Sequence, residues 1–457
     1  MRIAVTGSIA TDHLMTFPGR FADQLVADQL HTVSLSFLVD NLDVRRGGVG
    51  ANIAFGMGQL GTAPILVGAA GPDFDDYRAW LDRHGVDTAS VRISEVLHTA
   101  RFVCTTDADH NQIGSFYTGA MSEARLIELQ AVAERVGGLD LVTIGADDPE
   151  AMLRHTEECR GRGIPFAADF SQQIARMGGE EIRTLLDGAT YLFSNEYEKG
   201  LIESKTGWTD AEILGRVGHR VTTLGANGVR IERVGDEPIE VGVPEELRKA
   251  DPTGVGDAFR AGFLSGLAWG VSLERAAQVG CMLATLVIET VGTQEYQLER
   301  THFMDRFTKR YGSEAGDEVR GASRGADRGQ RGAGRSPAPR SSRAGTGFPH
   351  PVRRSLSSHV LLTPHLAPGR DVQGRRLVVR QDGDRGAHRD AREDLGEFDD
   401  RDRAALAEGV DDERRGGGDG GRLLVHRGAE LLPYPRDHPR QHLQEAVHVL
   451  RAHVQGE

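Results

Sequence analysis

The chain changes chemical character near residue 316, and that break limits what each side can fold into. The last lysine is Lys309, the last isoleucine Ile288 and the last tryptophan Trp269. Beyond them come runs such as Arg320-Gly321-Ala322-Ser323-Arg324-Gly325 and Arg414-Arg415-Gly416-Gly417-Gly418. Apolar residues there are sparse and aperiodic, so burial offers little against the entropy of ordering the chain. Residues 316–457 are therefore expected to form a low-complexity tail without fold or function. Three readings compete for it: a disordered tail, an Arg/Gly-rich arm for nucleic acid, and an alternate-frame translation of GC-rich DNA. The third accounts for the joint loss of lysine and isoleucine, whose codons are A/T-rich. Interleaved acidic residues put the nucleic-acid arm last.

Up to Tyr311 the pattern is different. Short β-rich runs alternate with helical ones: 65–68 then 75–84, and 139–144 then 149–162 then 166–168. That rhythm predicts an α/β layered domain with a mostly parallel sheet over residues 1–315. Two stretches, 12–45 and 98–117, break it with apolar/polar alternation and predict a separate small β unit. Cys104, Cys159 and Cys281 are isolated, which suits a reducing compartment. Met1-Arg2 leads straight into a strand, and no apolar run is long enough for a bilayer. A cytoplasmic enzyme without membrane contact is expected. A formal net charge of -13 argues against a general nucleic-acid partner.

Asp251-Pro252-Thr253-Gly254-Val255-Gly256-Asp257 packs an anion-binding turn and a carboxylate into seven residues, just before a helical stretch. Glycines let successive N–H groups of Gly254, Val255 and Gly256 converge, and a helix N-terminus adds positive potential suited to phosphate. A carboxylate beside an anion is normally repelled, so Asp257 suggests a proton acceptor next to a transferring phosphoryl group. Nearer the N-terminus, Gly47-Gly48 lets a hydroxyl-bearing ligand approach the backbone, and Asn52 offers a donor and an acceptor. Gly56-Met57-Gly58-Gln59-Leu60-Gly61 spells a dinucleotide fingerprint, but it closes a helical stretch instead of opening one, so close helix packing is expected there. No P-loop or His-Glu-x-x-His motif occurs.

These segments, in this order, resemble the signatures of the ribokinase-like (pfkB) carbohydrate kinases, across residues 1–315. The resemblance is nearest to the bacterial, mycobacterial-type adenosine kinases, through 4–15, 34–39 and Gly119-Ala120-Met121-Ser122-Glu123-Ala124-Arg125. It implies a three-layer sandwich with a small β-sheet lid, and ATP-dependent phosphorylation of the adenosine 5′-hydroxyl to AMP, a purine-salvage reaction. Asp257 is then the base, with Gly254, Val255 and Gly256 around the phosphoryl group. Ser8, Asp12, Gly48 and Asn52 hold the ribose. Asn195, Thr223, Gly225 and Gly228 flank ATP, and Glu198 reaches magnesium through water. Potassium activation and a homodimer through lid strands also occur among such relatives. Phe102 and Phe116 are expected to sandwich the base, and Gln172 and Gln173 to read its edge. Phe170 departs from the family's usual proline. The alternatives are a kinase of ribose, fructose, inosine or guanosine, and an inactive nucleoside-binding protein.

Overall fold

The computed structural model describes residues 1–25, 31, 32 and 34–333, with backbone alone for 325–333. Expectations for 334–457 lie outside the described residues.

Thirteen strands occur among the described residues: β1 Ile3–Thr6, β2 Ala10–Thr16, β3 Asn41–Gly47, β4 Ile65–Ala70, β5 Val91–Ile93, β6 Ala100–Thr106, β7 Gln112–Tyr117, β8 Leu141–Ile144, β9 Phe166–Asp169, β10 Tyr191–Asn195, β11 His219–Thr223, β12 Val229–Glu232 and β13 Ile239–Val241. Nine form one sheet in the order β13-β12-β11-β10-β9-β8-β1-β4-β5. From β5 to β11 every pairing is parallel, and β12 and β13 close one edge antiparallel. The other four form a separate sheet, β3-β2-β6-β7. The fold is thus the expected ribokinase-like α/β layering with a mostly parallel sheet and a small second sheet.

The large sheet is buried on both faces, as parallel strands require. Alternate side chains of one strand enter different cores. Ile3 and Val5 pack under helices Val49–Gln59, Val255–Trp269 and Leu273–Ile288, while Ala4 joins the opposite core with Leu129, Met152 and Ile182. The glycines of the dinucleotide-like run serve close packing. A Cβ on Gly56 would sit 2.7 Å from Ala261 Cβ, and one on Gly58 would sit 2.2 Å from His84 O.

One boundary differs from expectation. A helix, Ser313–Ala333, runs across residue 316, with Ala315 and Val319 fully buried beside Phe303 and Phe307. Its Glu318 pairs with Arg275 Nε at 2.9 Å. A single apolar stripe at i, i+4 anchors an otherwise Arg/Gly-rich segment. All three cysteines are buried and unpaired, and burial pushes the Cys159 and Cys281 thiols up to about 12. No helix among the described residues is long and apolar enough to cross a membrane.

Candidate functional site

Parallel strands with right-handed crossovers leave their carboxyl ends open along one rim, where loops and helix starts converge. Helix Val255–Trp269 begins at this rim. Gly254, its N-cap, has φ +78°, a conformation that costs glycine little, and a Cβ there would lie 2.8 Å from Thr293 Cγ2. Asp251 braces the turn by accepting from Thr253 N at 2.9 Å and Gly292 N at 3.0 Å. The Val255 N–H, expected to face an anion, turns back to Pro252 O at 3.3 Å. Among the described residues the N–H groups of Gly254, Gly256 and Asp257 have no protein acceptor, so Asp257 replaces Val255 in the set of available donors at the helix start.

Asp257 stands in the first helical turn, partly buried. Asn52, on helix Val49–Gln59, donates Nδ2–H to Asp257 Oδ2 at 2.8 Å. Burial lifts the Asp257 carboxyl to about 7 against the pull of Asn52 and Arg260, with Asp169 and Glu198 adding to the rise. Arg260 lies one turn further on, only 5 % exposed, and its Nη2 donates to Asp169 Oδ1 at 2.8 Å while its Nε also pairs with Asp169. Its Nη2 is 4.0 Å from Glu198 Oε2. The floor of the site is therefore one buried guanidinium among three carboxyls. Sequence reasoning passed over Arg260 and Asp169. The available signal was Arg260 itself, the only charged residue between Ala258 and Trp269.

The paired residues Asn195 and Glu198 form a capping box on helix Glu196–Thr206: Glu198 N donates to Asn195 Oδ1 at 2.7 Å, and Asn195 N to Glu198 Oε2 at 2.9 Å. Burial raises the Glu198 carboxyl. Asn195 is the register partner of Thr223, so both sit at adjoining strand ends. After Thr223 the chain turns through Gly225–Asn227 and returns as β12, closed by Leu224 N to Gly228 O at 2.8 Å. A Cβ on Gly228 would strike Val241 O at 2.0 Å, so the turn tolerates glycine alone there.

At the end of the site nearest the small sheet, Ser8 is buried and its Oγ accepts Val49 N–H at 3.0 Å, capping that helix. Gly48 has φ +96°, and a Cβ on it would meet Ser8 O at 2.5 Å. Above lies the small sheet. Its register sets Arg45, Asp12, Phe102 and Phe116 in one row across four strands, hence on one face. The Asp12 carboxylate folds over Gly47, where a Cβ would be 2.8 Å from Oδ2. Burial lifts Asp12 to about 6, opposed by Arg45 and aided by Glu295 and Asp251. Arg45 Nη1 in turn approaches Asp251 Oδ2 at 3.7 Å, linking this row to the anion turn.

Two expectations need correction. Phe102 and Phe116 are cross-strand neighbours on one face, so they cannot be the two jaws of a sandwich; they form a side-by-side platform, with Phe102 lying along Gly114. Gln173 is buried and spends Nε2 on Asp147 O at 2.7 Å, so it secures its loop, whereas Gln172 beside it is exposed, its amide without a partner among the described residues. Phe170 is buried in the core, and Ser171 after it takes φ +43°.

Known proteins share this fold. The model of the pfkB family carbohydrate kinases matches residues 9–300. A nucleoside kinase of Methanothermobacter thermautotrophicus is 29% identical over 290 residues, covering 62% of this chain and 92% of the relative. The solved nucleoside kinase of Burkholderia thailandensis in complex with inosine is 32% identical with a TM-score of 0.60, covering 68% of this chain and 98% of that one. The nucleoside kinase of Methanocaldococcus jannaschii superposes with a TM-score of 0.59 at 25% identity, covering 67% and 98%. Fold, rim and family model agree over the same residues, and the chain belongs to the pfkB family of carbohydrate kinases.

Proposed function

We propose that the protein phosphorylates the 5′-hydroxyl of a purine nucleoside, adenosine first, using ATP. The observation that carries the reading is Asp257, a carboxyl held near pKa 7 and hydrogen-bonded by Asn52 beside the unpaired N–H groups of a helix start. In this reading Asp12, Gly48 and Asn52 take the ribose hydroxyls and Ser8 shapes the backbone beneath them. Phe102 and Phe116 supply a flat apolar platform for the base, with Gln172 at its edge. The 5′-hydroxyl gives its proton to Asp257 as its oxygen bonds to the γ-phosphorus, and the bond to the ADP oxygen breaks. The N–H groups of Gly254, Gly256 and Asp257 receive the charge that develops on the transferred group. Thr223, Gly225 and Gly228 flank the nucleotide.

Among the described residues no three acidic, histidine or cysteine groups converge as a metal cage. Magnesium keeps most of its waters, and Glu198 would orient them beside Asn195. Magnesium bound to the triphosphate supplies charge neutralisation. The outer face of the small sheet exposes Leu42, Val44, Ile113 and Tyr117, an apolar surface that suits lid-to-lid pairing in a homodimer.

A second reading is favoured by the Burkholderia relative, which holds inosine: a broader purine-nucleoside kinase. ATP-dependent turnover of adenosine, inosine, guanosine, ribose and fructose by the full chain separates these. Selective turnover of adenosine supports the first reading and comparable turnover of inosine the second. Turnover of free sugars alone overturns both, and no turnover at all leaves an inactive nucleoside-binding protein.

A further inference from the structure

Asn52 has two ends of nearly equal size, and only one is useful to Asp257. With Nδ2 toward the carboxylate it donates a hydrogen bond; with Oδ1 there, two lone-pair-bearing oxygens repel. Asn52 Oδ1 accepts from Gln294 Nε2 at 2.9 Å, and the same Nε2 donates to the Tyr77 hydroxyl oxygen at 2.5 Å. Tyr77 donates its proton to Gly47 O at 2.9 Å. The polarity of this chain is fixed at its far end. A backbone carbonyl only accepts, so Tyr77 must donate to it and offers lone pairs to Gln294. Gln294 then presents its NH2 to both neighbours, and Asn52 is left with its own NH2 facing Asp257. All three side chains are buried, Gln294 completely, so water does not compete for these groups. Gln294 Oε1 has no partner among the described residues, so all of this side chain's bonding seen there enters the relay.

The structure assigns Gln294 and Tyr77 as positioning residues that set the Asn52 amide with its donor end toward Asp257. The assignment rests on Asp257 being the base. The relay also begins at the last residue of β3, so it joins the end of a small-sheet strand to Asp257. Thr293 strengthens the joint by donating Oγ1–H to Arg46 O at 2.9 Å. The charged and titratable groups facing Asp257 are Arg260 from its own helix, Asp169 from the end of β9, Glu198 from helix Glu196–Thr206, and Tyr296. Those around Tyr77 are Asp12, Arg46 and Glu295.

The test is the pH dependence of kcat/KM for adenosine, with the full-length protein, in Gln294→Leu and Tyr77→Phe. Neither change adds charge, and the second removes one oxygen alone. Freed of its relay, Asn52 loses its fixed donor orientation, and the acid limb of the profile moves up by about one pH unit in Gln294→Leu and by less in Tyr77→Phe. KM for ATP stays unchanged in both. In an Asn52→Leu background the same Gln294→Leu change moves the limb no further, because Gln294 acts through Asn52. A wild-type limb that neither variant moves overturns the relay and leaves the base intact. Near-normal kcat in Asp257→Asn overturns the base reading itself.

Discussion

The floor of the site and the small sheet above it are built in opposite ways. On the floor, Asp257, Asn52, Gln294 and Tyr77 form one hydrogen-bonded chain and Arg260 and Asp169 a neighbouring ion pair, and most of these residues are nearly fully buried. In the small sheet, β7 is exposed along its whole length, and Phe116 is 43% exposed. Groups that must hold a reacting oxygen to within half an ångström belong on the interlocked side. Groups that admit and release a nucleoside belong where few contacts oppose movement. In the proposed reading, chemistry falls to the interlocked half and nucleoside selectivity to the loosely tied one.

The largest effect that could break this division is on the floor. Asp257→Asn should lower kcat by about 10²–10⁴-fold with little change in KM for either substrate, since the amide keeps the shape but takes no proton. Steady-state kinetics in both substrates gives the answer, and a loss carried mainly by KM would move Asp257 from chemistry to binding. Next comes Arg260→Met, which leaves the buried Asp169 without its guanidinium partner and with only the Ser171 hydroxyl as donor. A loss of about 3–5 kcal/mol in urea unfolding is expected, and an unfolding midpoint near wild type would show that the floor is not interlocked as described.

The sheet was legible because its strands are short apolar runs between helical stretches, and a two-sided buried strand needs such runs. The glycine turn that opens helix Val255–Trp269 was legible because turns are local. What escaped detection was non-local. Gln294 and Asn52 are 242 residues apart, and Arg260 and Asp169 are 91 apart, so no spacing rule joins them. The platform geometry of Phe102 and Phe116 escaped for a similar reason. Which face each residue takes depends on register, and a slip of one residue would put them on opposite faces. The helix at 313–333 was hidden by composition, its core contact resting on Ala315 and Val319.

Phe102→Ala tests the loose half. A base stacked on that ring contributes about 1–3 kcal/mol, so kcat/KM for adenosine should fall by about 5–150-fold, with ATP affinity unaffected. Any turnover of free ribose should stay as it was. Equal losses for ribose and adenosine would mean that Phe102 only packs the sheet, and selectivity would have to be sought at Gln172.

The smallest effect compares the two site carboxyls by stability. Asp12 is raised to about 6 and Asp257 to about 7, each from 3.8. A raised carboxyl binds its proton more tightly in the native state, so over this window the folded protein holds more protons than the unfolded chain. Stability then falls as pH rises from about 4 through the folded value. Replacing either aspartate by asparagine removes that loss. Asp257→Asn should unfold at a higher temperature than wild type at pH 8, with the gap closing as pH falls toward 4. Asp12→Asn should show a smaller gap that is complete by about pH 7, because Arg45 already compensates part of its burial. Thermal unfolding across pH 4–8 reads both. A larger gain at Asp12 than at Asp257 would place the greater strain in the small sheet, and the division between a costly rigid floor and a loosely tied cover would be reversed.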